Sequence, residues 1–178
     1  MENQLISGAS LLIQAMQGSG VETLFSLSGN QIMPIYDACI DSDIRIVHTR
    51  HESSAVFMAD AYAQLSAGPG VALVTAAPGF ANALGALYSA KMAESPVILL
   101  SGDSPVARDG QFAFQEFDQL KAASAFVKLS MRLRSVNDVE DLWQEGLAAA
   151  TSGTPGPCLL YTSPSPRDAT LSRMPSSA

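Results

Sequence analysis

Short apolar runs rich in β-branched residues alternate along the chain with longer segments whose apolar positions recur every three or four residues. The first pattern predicts strands and the second predicts helices. Five strands are predicted in this way, at 21–27, 44–49, 71–75, 96–101 and 125–130. A sixth strand is expected after the turn at 154–157. The alternation predicts an α/β fold, a doubly wound and mostly parallel sheet of about six strands with helices on both faces.

Helical segments are predicted between these strands, and local signals mark several of their ends. Ser7 is expected to cap the first helix, while Pro34 suits the first turn of the second. Loop 102–117 is long, polar and aromatic, which is typical of a functional loop. The predicted helices lie at 8–17, 32–39, 53–67, 80–92, 118–123 and 136–150.

Composition narrows the classes of function. Hydrophobic residues make up 47% of the 178 and charged residues 15%, which suits a buried parallel sheet covered by helices. The net charge is −7 and no basic cluster occurs, so nucleic acid is not an expected partner. No apolar run is long enough for a membrane span, and no secretory signal pattern is present. The two cysteines form neither a disulfide framework nor a metal motif, so a cytoplasmic location is expected.

The last 21 residues differ sharply in composition from the rest, being rich in Ser, Pro, Thr and Arg. One interpretation is a flexible tail. A second is that 158–178 resembles a translated transposon-type sequencing adapter, whose reading frame gives Cys-Leu-Leu-Tyr-Thr-Ser as at 158–163. We therefore expect a domain at 1–157, a fragment of a longer enzyme that continues beyond Pro157, followed by a non-native or disordered tail at 158–178.

Four loops follow predicted strand ends and should meet at one edge of the sheet, where ligands of open α/β sheets gather. They are Ser28-Gly29-Asn30, Arg50-His51-Glu52, Ala77-Pro78-Gly79 and 102–117. Glu52 is placed there to hold a protonated or tautomerising ring nitrogen. It could equally be a first-turn acid that the helix dipole favours and Arg50 pairs with.

The other candidates at this edge also carry two interpretations. Gly29 and Gly79 would permit close approach of a ligand to the backbone, or would simply be turn glycines. Asn82 would point to the same edge or lie on the surface, and Phe114 would contact substrate or cover the core. The phosphate-binding glycine motifs are absent from the sequence. A carboxylate without a phosphate cradle predicts half of a site, completed by another domain or subunit.

Several motifs in order carry a family resemblance. Arg50-His51-Glu52 with Met58-Ala59-Asp60, the 70–82 segment that contains Thr75, Pro78, Gly79 and Asn82, and Gly153-Thr154-Pro155-Gly156-Pro157 are similar to the N-terminal pyrimidine-binding domain of thiamine diphosphate-dependent enzymes. The resemblance covers residues 1–157. Ala113-Phe114-Gln115-Glu116 followed by Lys128 most resembles the acetolactate synthase group, a family of branched-chain amino acid biosynthesis.

The resemblance implies a set of roles. Glu52 would be the catalytic residue that hydrogen-bonds N1′ of the cofactor aminopyrimidine and favours its imino tautomer. A 2-keto acid such as pyruvate would be decarboxylated and joined to a second keto acid, which is a carboligase or transferase reaction. The pyrimidine pocket would be shaped by Gly29, Asn30, Thr75, Pro78, Gly79 and Asn82. Substrate or the partner subunit would face Phe114, Gln115 and Lys128.

The same resemblance implies cofactors and partners beyond this chain. Thiamine diphosphate would be bound with Mg²⁺, whose ligands lie in another domain, and FAD is a possible additional cofactor. The site would lie at the subunit interface of a homodimer or homotetramer, so the fragment alone is expected to be inactive. Departures from the family pattern occur at Ser28, Ala61, Gln64 and Ala77.

Alternatives remain at this stage. The chain could belong to another thiamine diphosphate-dependent decarboxylase, acting on a 2-keto acid or an acyl-CoA, or to a non-catalytic domain of the same fold. A flavodoxin-like nucleotide binder is disfavoured because the phosphate loop is absent. Glu52 discriminates between enzyme and scaffold, since a scaffold has little reason to keep a carboxylate at that position.

Overall fold

The computed structural model describes residues 6–66 and 68–162. Within them, six strands form one sheet in the order β2-β1-β3-β4-β6-β5, and every neighbouring pair is parallel. This confirms the predicted doubly wound α/β fold. The strands are β1 Thr23–Ser26, β2 Arg45–His48, β3 Gly70–Val74, β4 Val97–Gly102, β5 Leu129–Leu133 and β6 Cys158–Thr162.

In the described residues, one α-helix precedes the first strand and five others connect successive strands. Ser7 caps the first of them, as predicted, because its side chain accepts a hydrogen bond from the Ser10 amide. In the described part of the chain, no helix combines the length and the apolar character that crossing a membrane requires. The helices are α1 Gly8–Gly18, α2 Met33–Ile40, α3 Glu52–Leu65, α4 Pro78–Met92, α5 Gln119–Ala123 and α6 Val139–Thr151.

The sheet separates two hydrophobic cores. One face packs against α1, α2 and α6, with Met16 and Trp143 among its fully buried side chains. The other face packs against α3, α4 and α5, with Phe80 and Leu87 at its centre. All residues of β3 and β4 are buried, whereas the edge strands β2 and β5 are partly exposed. The central strands β3 and β4 are therefore closely packed on both faces, whereas the edge strands are partly open to solvent.

One strand lies later in the chain than its sequence pattern predicts. The apolar run at 125–130 was expected to be β5, but the strand is Leu129–Leu133. Phe126 and Val127 instead close a tight turn after α5, since both amides donate to the carbonyl of Ala123. Their side chains pack into the second core from this turn. An apolar run can therefore fill a core from a turn as well as from a strand, and its periodicity alone does not distinguish the turn from the strand.

The five residues that follow the boundary expected at Pro157 belong to the sheet. Cys158–Thr162 form β6, which is fully buried between β4 and β5. Leu159 and Leu160 face opposite cores, so this short apolar run completes both layers. Residues 163–178 lie outside the described residues, and the adapter resemblance and the division of the chain at 157 stay predictions.

Candidate functional site

Four strand ends meet at one edge of the sheet. Because β1, β2, β3 and β4 are parallel neighbours or next neighbours, the segments that follow Ser26, His48, Val74 and Gly102 all leave from the same side. Parallel strands direct their carboxyl ends to one edge, which is where this fold class binds ligands. The loops singled out from the sequence therefore lie together.

Glu52 is the first residue of α3 and lies at this edge. Its side chain is buried, with 9% of the residue exposed. The preceding residue, His51, caps the helix, because its Nδ1 accepts a hydrogen bond from the Ser53 amide at 3.1 Å. A carboxylate in the first turn is favoured by the amide groups of the helix N-terminus. The local sequence thus holds a buried acid that forms no salt bridge within residues 6–66 and 68–162.

The Glu52 carboxylate is bound by an amide and not by an arginine. Asn82 Nδ2 donates to Glu52 Oε2 at 3.0 Å, and the Asn82 carbonyl accepts a hydrogen bond from Ser53 Oγ. These two bonds tie the N-terminal turns of α3 and α4 together. Among the described residues, Glu52 makes no salt bridge with Arg50, so the alternative in which the two pair is not realised. Asn82 fixes one carboxylate oxygen and leaves Oε1 without a hydrogen bond from the described residues.

Thr75 lies between two glycines at the same edge. A Cβ built on Gly29 would be 2.4 Å from the Thr75 Cβ, and one built on Gly79 would be 2.7 Å from its Cγ2. A Cβ on Gly79 would also stand 3.3 Å from Glu52 Oε1. Both glycines are therefore required by close packing around Thr75. The bare backbone of Gly79 also keeps the free oxygen of Glu52 accessible.

The turn that carries Gly79 is strained. Ala77 has φ 47° and ψ −94°, a conformation that a residue with a Cβ rarely adopts. Pro78 follows as the first residue of α4, where its fixed φ suits a helix start and its missing amide hydrogen is not needed. Backbone strain of this kind is concentrated at functional sites. We refer to Gly29, Glu52, Thr75, Gly79 and Asn82 as the Glu52 site.

A cavity of about 450 Å³ lies beside the Glu52 site, between the start of α2 and loop 102–117. Gln31, which the sequence analysis did not name, joins the two, because Thr75 Oγ1 donates to its Oε1 at 2.7 Å while its side chain lines the cavity. A second cavity, of about 540 Å³, lies between α1 and α2, and no residue of the Glu52 site lines either cavity. We call the cavity of about 450 Å³ the loop cavity. Its lining includes Asn30, Gln31, Asp37, Asp103, Arg108 and Phe114.

Phe114 and Gln115, in loop 102–117, were predicted to face substrate or the partner subunit. Phe114 is exposed, whereas Gln115 is partly buried. Phe114 lines the loop cavity and is 75% exposed. Gln115 has φ 62°, and its Oε1 is buried without a hydrogen-bond partner in the described part of the chain. An unpartnered buried oxygen costs free energy and is a recognised mark of a functional position. The loop therefore brings one exposed aromatic ring and one strained amide towards this edge.

Arg132 anchors the same loop through a cluster we call the Arg132 clasp, formed by Asp103, Asp109 and Arg132. Arg132 Nε donates to Asp103 Oδ2 at 2.6 Å, and its two terminal nitrogens donate to both oxygens of Asp109 at 2.7 and 2.6 Å. The guanidinium also lies 5.4 Å from the centre of the Tyr161 ring. The planar guanidinium group of arginine carries five N–H groups, so it can bind two carboxylates at once. The clasp therefore joins β5 to the end of β4 and to the loop.

The two aspartates of the clasp have pKa values shifted in opposite directions. Burial raises the pKa of Asp103 above its ordinary value, although Arg132 acts against this shift. The hydrogen bonds from Arg132 lower the pKa of Asp109, which lies nearer the surface. Burial also raises the pKa of Tyr161 to about 12, so its hydroxyl stays neutral beside the guanidinium. Desolvation dominates at the inner aspartate and charge pairing at the outer one.

Lys128 does not lie at this edge. It precedes β5, so it lies at the amino end of the parallel strands, opposite the loops that follow their carboxyl ends. Its Nζ donates to the carbonyls of Ala149 and Ser152 at 2.6 and 2.8 Å. A lysine bound to the last carbonyls of α6 complements the helix C-terminus. That Lys128 faces substrate or the partner subunit stays a prediction.

The residues that the sequence analysis missed carried weak local signals. Gln31 directly follows Asn30 in the loop after β1, so extending that loop by one residue would have included it. Arg132 is a charged residue inside a strand, which is unusual without a partner, and Asp103 follows the last residue of β4. No group of three or more His, Cys, Asp or Glu side chains in 6–66 and 68–162 is arranged to hold a metal ion.

The chain is similar to a described protein family and to several known proteins. A family model described as the thiamine pyrophosphate enzyme N-terminal TPP binding domain matches residues 6–122. The chain is 41% identical over 153 residues to 2-hydroxyacyl-CoA lyase 2 of Danio rerio, which covers 86% of this chain and 25% of that protein. The Homo sapiens protein of the same name is 41% identical over 150 residues, covering 84% of this chain and 24% of its own length.

A second type of relative is also found. A probable acetolactate synthase of Mycobacterium bovis is 33% identical over 153 residues, covering 86% of this chain and 28% of that protein. The chain thus spans about a quarter of the length of these relatives. The resemblance to thiamine diphosphate enzymes is confirmed, and the relatives include both lyases and a synthase. The chain belongs to the thiamine pyrophosphate enzyme family and contains its N-terminal TPP binding domain.

Proposed function

We propose that this chain is the cofactor-binding N-terminal part of a longer thiamine diphosphate-dependent enzyme that makes or breaks a carbon–carbon bond beside a carbonyl group. The observation that carries the proposal is the state of Glu52. Its carboxylate is buried at the ligand-binding edge, one oxygen is held by Asn82, and the other is left open beside Gly79. A buried acid without a cationic partner is costly unless a ligand uses it.

The residues present fit the aminopyrimidine of the cofactor. A ring nitrogen that carries a proton needs a single acceptor at a fixed place, which Glu52 Oε1 provides. A flat ring needs a wall without side chains, and a Cβ at Gly79 would fill the space 3.3 Å from that oxygen. Gly29, Thr75 and Pro78 complete this wall by close packing and by the turn into α4. Asn30 lies at the entrance to the adjoining loop cavity.

In this proposal the protein contributes proton placement and orientation. When bound, the cofactor supplies the electron sink that stabilises negative charge on a carbon next to a carbonyl group. Glu52 holds a proton at N1′ of the aminopyrimidine, which favours the tautomer that can act as a base. Asn82 keeps the carboxylate in one orientation through its 3.0 Å hydrogen bond. The hydrogen bonds between the first turns of α3 and α4 keep the two helix starts together beside the acid.

We further propose that the diphosphate and Mg²⁺ bind to a separate domain of a partner subunit. The absence of a phosphate loop from the sequence and the coverage of about a quarter of the relatives' length support this arrangement. The complete holoenzyme, by which we mean this chain with its continuation and both cofactors, would then be a homodimer or homotetramer with a shared site. FAD belongs only to the acetolactate synthase-type alternative. The 178-residue chain alone would be inactive.

For the substrate we propose a 2-hydroxyacyl-CoA. Identity to the 2-hydroxyacyl-CoA lyases is 41%, against 33% to the acetolactate synthase over the same length. In such a cleavage the bond between C1 and C2 breaks, C2 becomes an aldehyde as its hydroxyl loses a proton, and C1 takes up a proton. The second candidate is an acetolactate synthase acting on pyruvate. The run Ala113-Phe114-Gln115-Glu116, of which Ala113 and Phe114 line the loop cavity, favours it.

A direct assay separates the two candidates. Purified holoenzyme is incubated with a 2-hydroxyacyl-CoA, and aldehyde release is followed; a parallel reaction contains pyruvate, and carbon dioxide release is followed. The proposal expects aldehyde release with a kcat/KM at least tenfold above that for pyruvate. Faster turnover of pyruvate would instead establish the synthase alternative. Failure with both substrates, in a preparation that carries the cofactor, would refute the proposed class of reaction.

A further inference from the structure

Gln31 is held rigidly at the border between the Glu52 site and the loop cavity. Its stem is packed against the backbone at the end of β4, since a Cβ built on Gly102 would be 2.8 Å from the Gln31 Cβ. Gly102 is itself fixed, because its carbonyl accepts a hydrogen bond from Nε2 of the fully buried Gln119 at 2.7 Å. The side chain of Gln31 is thus placed by packing that begins in α5.

The orientation of the Gln31 amide is fixed at its other end. The Thr75 hydroxyl donates to Gln31 Oε1 at 2.7 Å, and Thr75 is held between Gly29 and Gly79. Because the oxygen faces Thr75, the nitrogen is turned away from it. In the described part of the chain, this nitrogen donates to no protein acceptor. A side chain locked at both ends and left with free N–H groups is preorganised for a ligand.

The charges around the loop cavity indicate what kind of ligand atom these N–H groups would meet. Asp103 and Asp109 carry two negative charges, which the positive charges of Arg132 and Arg134 balance through their ion pairs. Arg108 and Asp37, both exposed, line the cavity with opposite charges. The cavity therefore carries no strong net charge of its own. Such an environment suits a neutral acceptor, a carbonyl oxygen, better than a fully ionised group.

We propose that Gln31 is a substrate-binding residue that donates a hydrogen bond to the carbonyl oxygen of the acyl group undergoing the reaction. The inference rests on the proposed function, and it adds the residue that selects the substrate's acyl oxygen. That oxygen is the thioester carbonyl of a 2-hydroxyacyl-CoA or the corresponding oxygen of a 2-keto acid. Thr75 and Gln119, through Gly102, act as positioning residues for this amide.

Two variants of the complete holoenzyme test the proposal. Gln31→Leu keeps the volume and removes the donor, and about a tenfold loss of kcat/KM is expected, as for a neutral hydrogen bond at the upper end of its usual range. Gln31→Glu keeps an acceptor for Thr75 but presents an oxygen to the substrate oxygen, so a loss of about tenfold to a hundredfold is expected. Gln144 is exposed on α6, so Gln144→Glu is the matched control and should leave kcat and KM unchanged.

The readouts distinguish substrate binding from a structural role. Exchange of the cofactor C2 proton, which needs no substrate, should be the same in both Gln31 variants as in the unmodified enzyme. A loss with the 2-hydroxyacyl-CoA would identify the thioester carbonyl as the acceptor, and a loss confined to pyruvate would identify the keto acid. Unchanged kcat and KM in both variants of an active enzyme would overturn the inference alone. Absence of turnover by the unmodified holoenzyme would overturn the proposed function first.

Discussion

Two acidic centres at the same edge of the sheet are stabilised in opposite ways. In the Arg132 clasp, Asp103 is buried and Asp109 lies near the surface, and one guanidinium satisfies both. At the Glu52 site, a carboxylate that is also buried receives one hydrogen bond, from the neutral amide of Asn82. Burial of an acid is costly unless it is paired. The Arg132 clasp therefore stabilises the fold, whereas Glu52 keeps one carboxylate oxygen that no described residue hydrogen-bonds.

Breaking the clasp should give the largest loss of stability. Arg132→Met leaves the Asp103 carboxylate buried and unpaired, so we expect the free energy of unfolding to fall by about 3–5 kcal/mol. Arg134→Met is the matched control, because Arg134 is exposed and makes one long contact with Asp109 at 3.4 Å. That control should cost less than about 1 kcal/mol. Urea unfolding of the chain measures both, and equal losses would contradict the structural role of the clasp.

Crowding the Glu52 site should have the next largest effect. Gly79→Ala places a Cβ 2.7 Å from Thr75 Cγ2, so a loss of about 1–3 kcal/mol is expected from overpacking. Gly85→Ala in the same helix has no atom within 4 Å of its new Cβ and should stabilise the chain by up to about 1 kcal/mol. Thermal unfolding compares the two variants. A stabilising Gly79→Ala would show that the space beside Glu52 is not tightly bounded.

Relieving strain should have a smaller effect, of opposite sign. Ala77→Gly removes the Cβ from a backbone with φ 47°, and we expect about 1 kcal/mol of added stability. Ala148→Gly, at an exposed position within α6, should instead cost about 1 kcal/mol. The pair separates local strain from the general effect of introducing glycine. Loss of stability in Ala77→Gly would mean that the turn before α4 is not strained.

The smallest expected effect concerns the acid limb of the stability curve. Hydrogen bonds from Arg132 lower the folded-state pKa of Asp109, so its contribution is fully present above the unfolded pKa of about 3.9 and is lost as the pH falls through the lower folded value. The raised pKa of Asp103 acts in the opposite direction. The stability difference between the unmodified chain and Asp109→Asn should therefore shrink below about pH 4. A difference that grows on acidification would contradict the assignment.

The layout of the fold followed from the sequence because its signals were local. Ser7 capped its helix, Pro34 stood in the first turn of α2, and the apolar run of β3 was buried on both faces. The position of β5 did not follow, because the apolar run at 125–127 packs into the core from a turn. The strand Cys158–Thr162 lies in the segment that was set aside because it resembles a translated adapter.

At the candidate site, the sheet topology predicted which residues lie at the same edge. Their hydrogen bonds and packing came only from the side-chain geometry. Parallel pairing alone brought Glu52 and Gly79 to one edge, as expected. The hydrogen bond from Asn82 and the wedge of Thr75 between two glycines depend on packing that no spacing rule encodes. The motif that groups Lys128 with Phe114 and Gln115 fixes its distance along the chain, but not the end of β5 at which it lies.

The central claim is that Glu52 exchanges a proton with the cofactor aminopyrimidine. The most direct test is the rate of hydrogen–deuterium exchange at C2 of the bound cofactor in the complete holoenzyme, compared between unmodified enzyme and Glu52→Gln. The variant keeps an acceptor for Asn82, so it should fold normally, and its exchange should be slower by about 10²–10⁴-fold, as for lost acid–base assistance. An exchange rate equal to that of the unmodified enzyme, with the cofactor bound, would contradict the account.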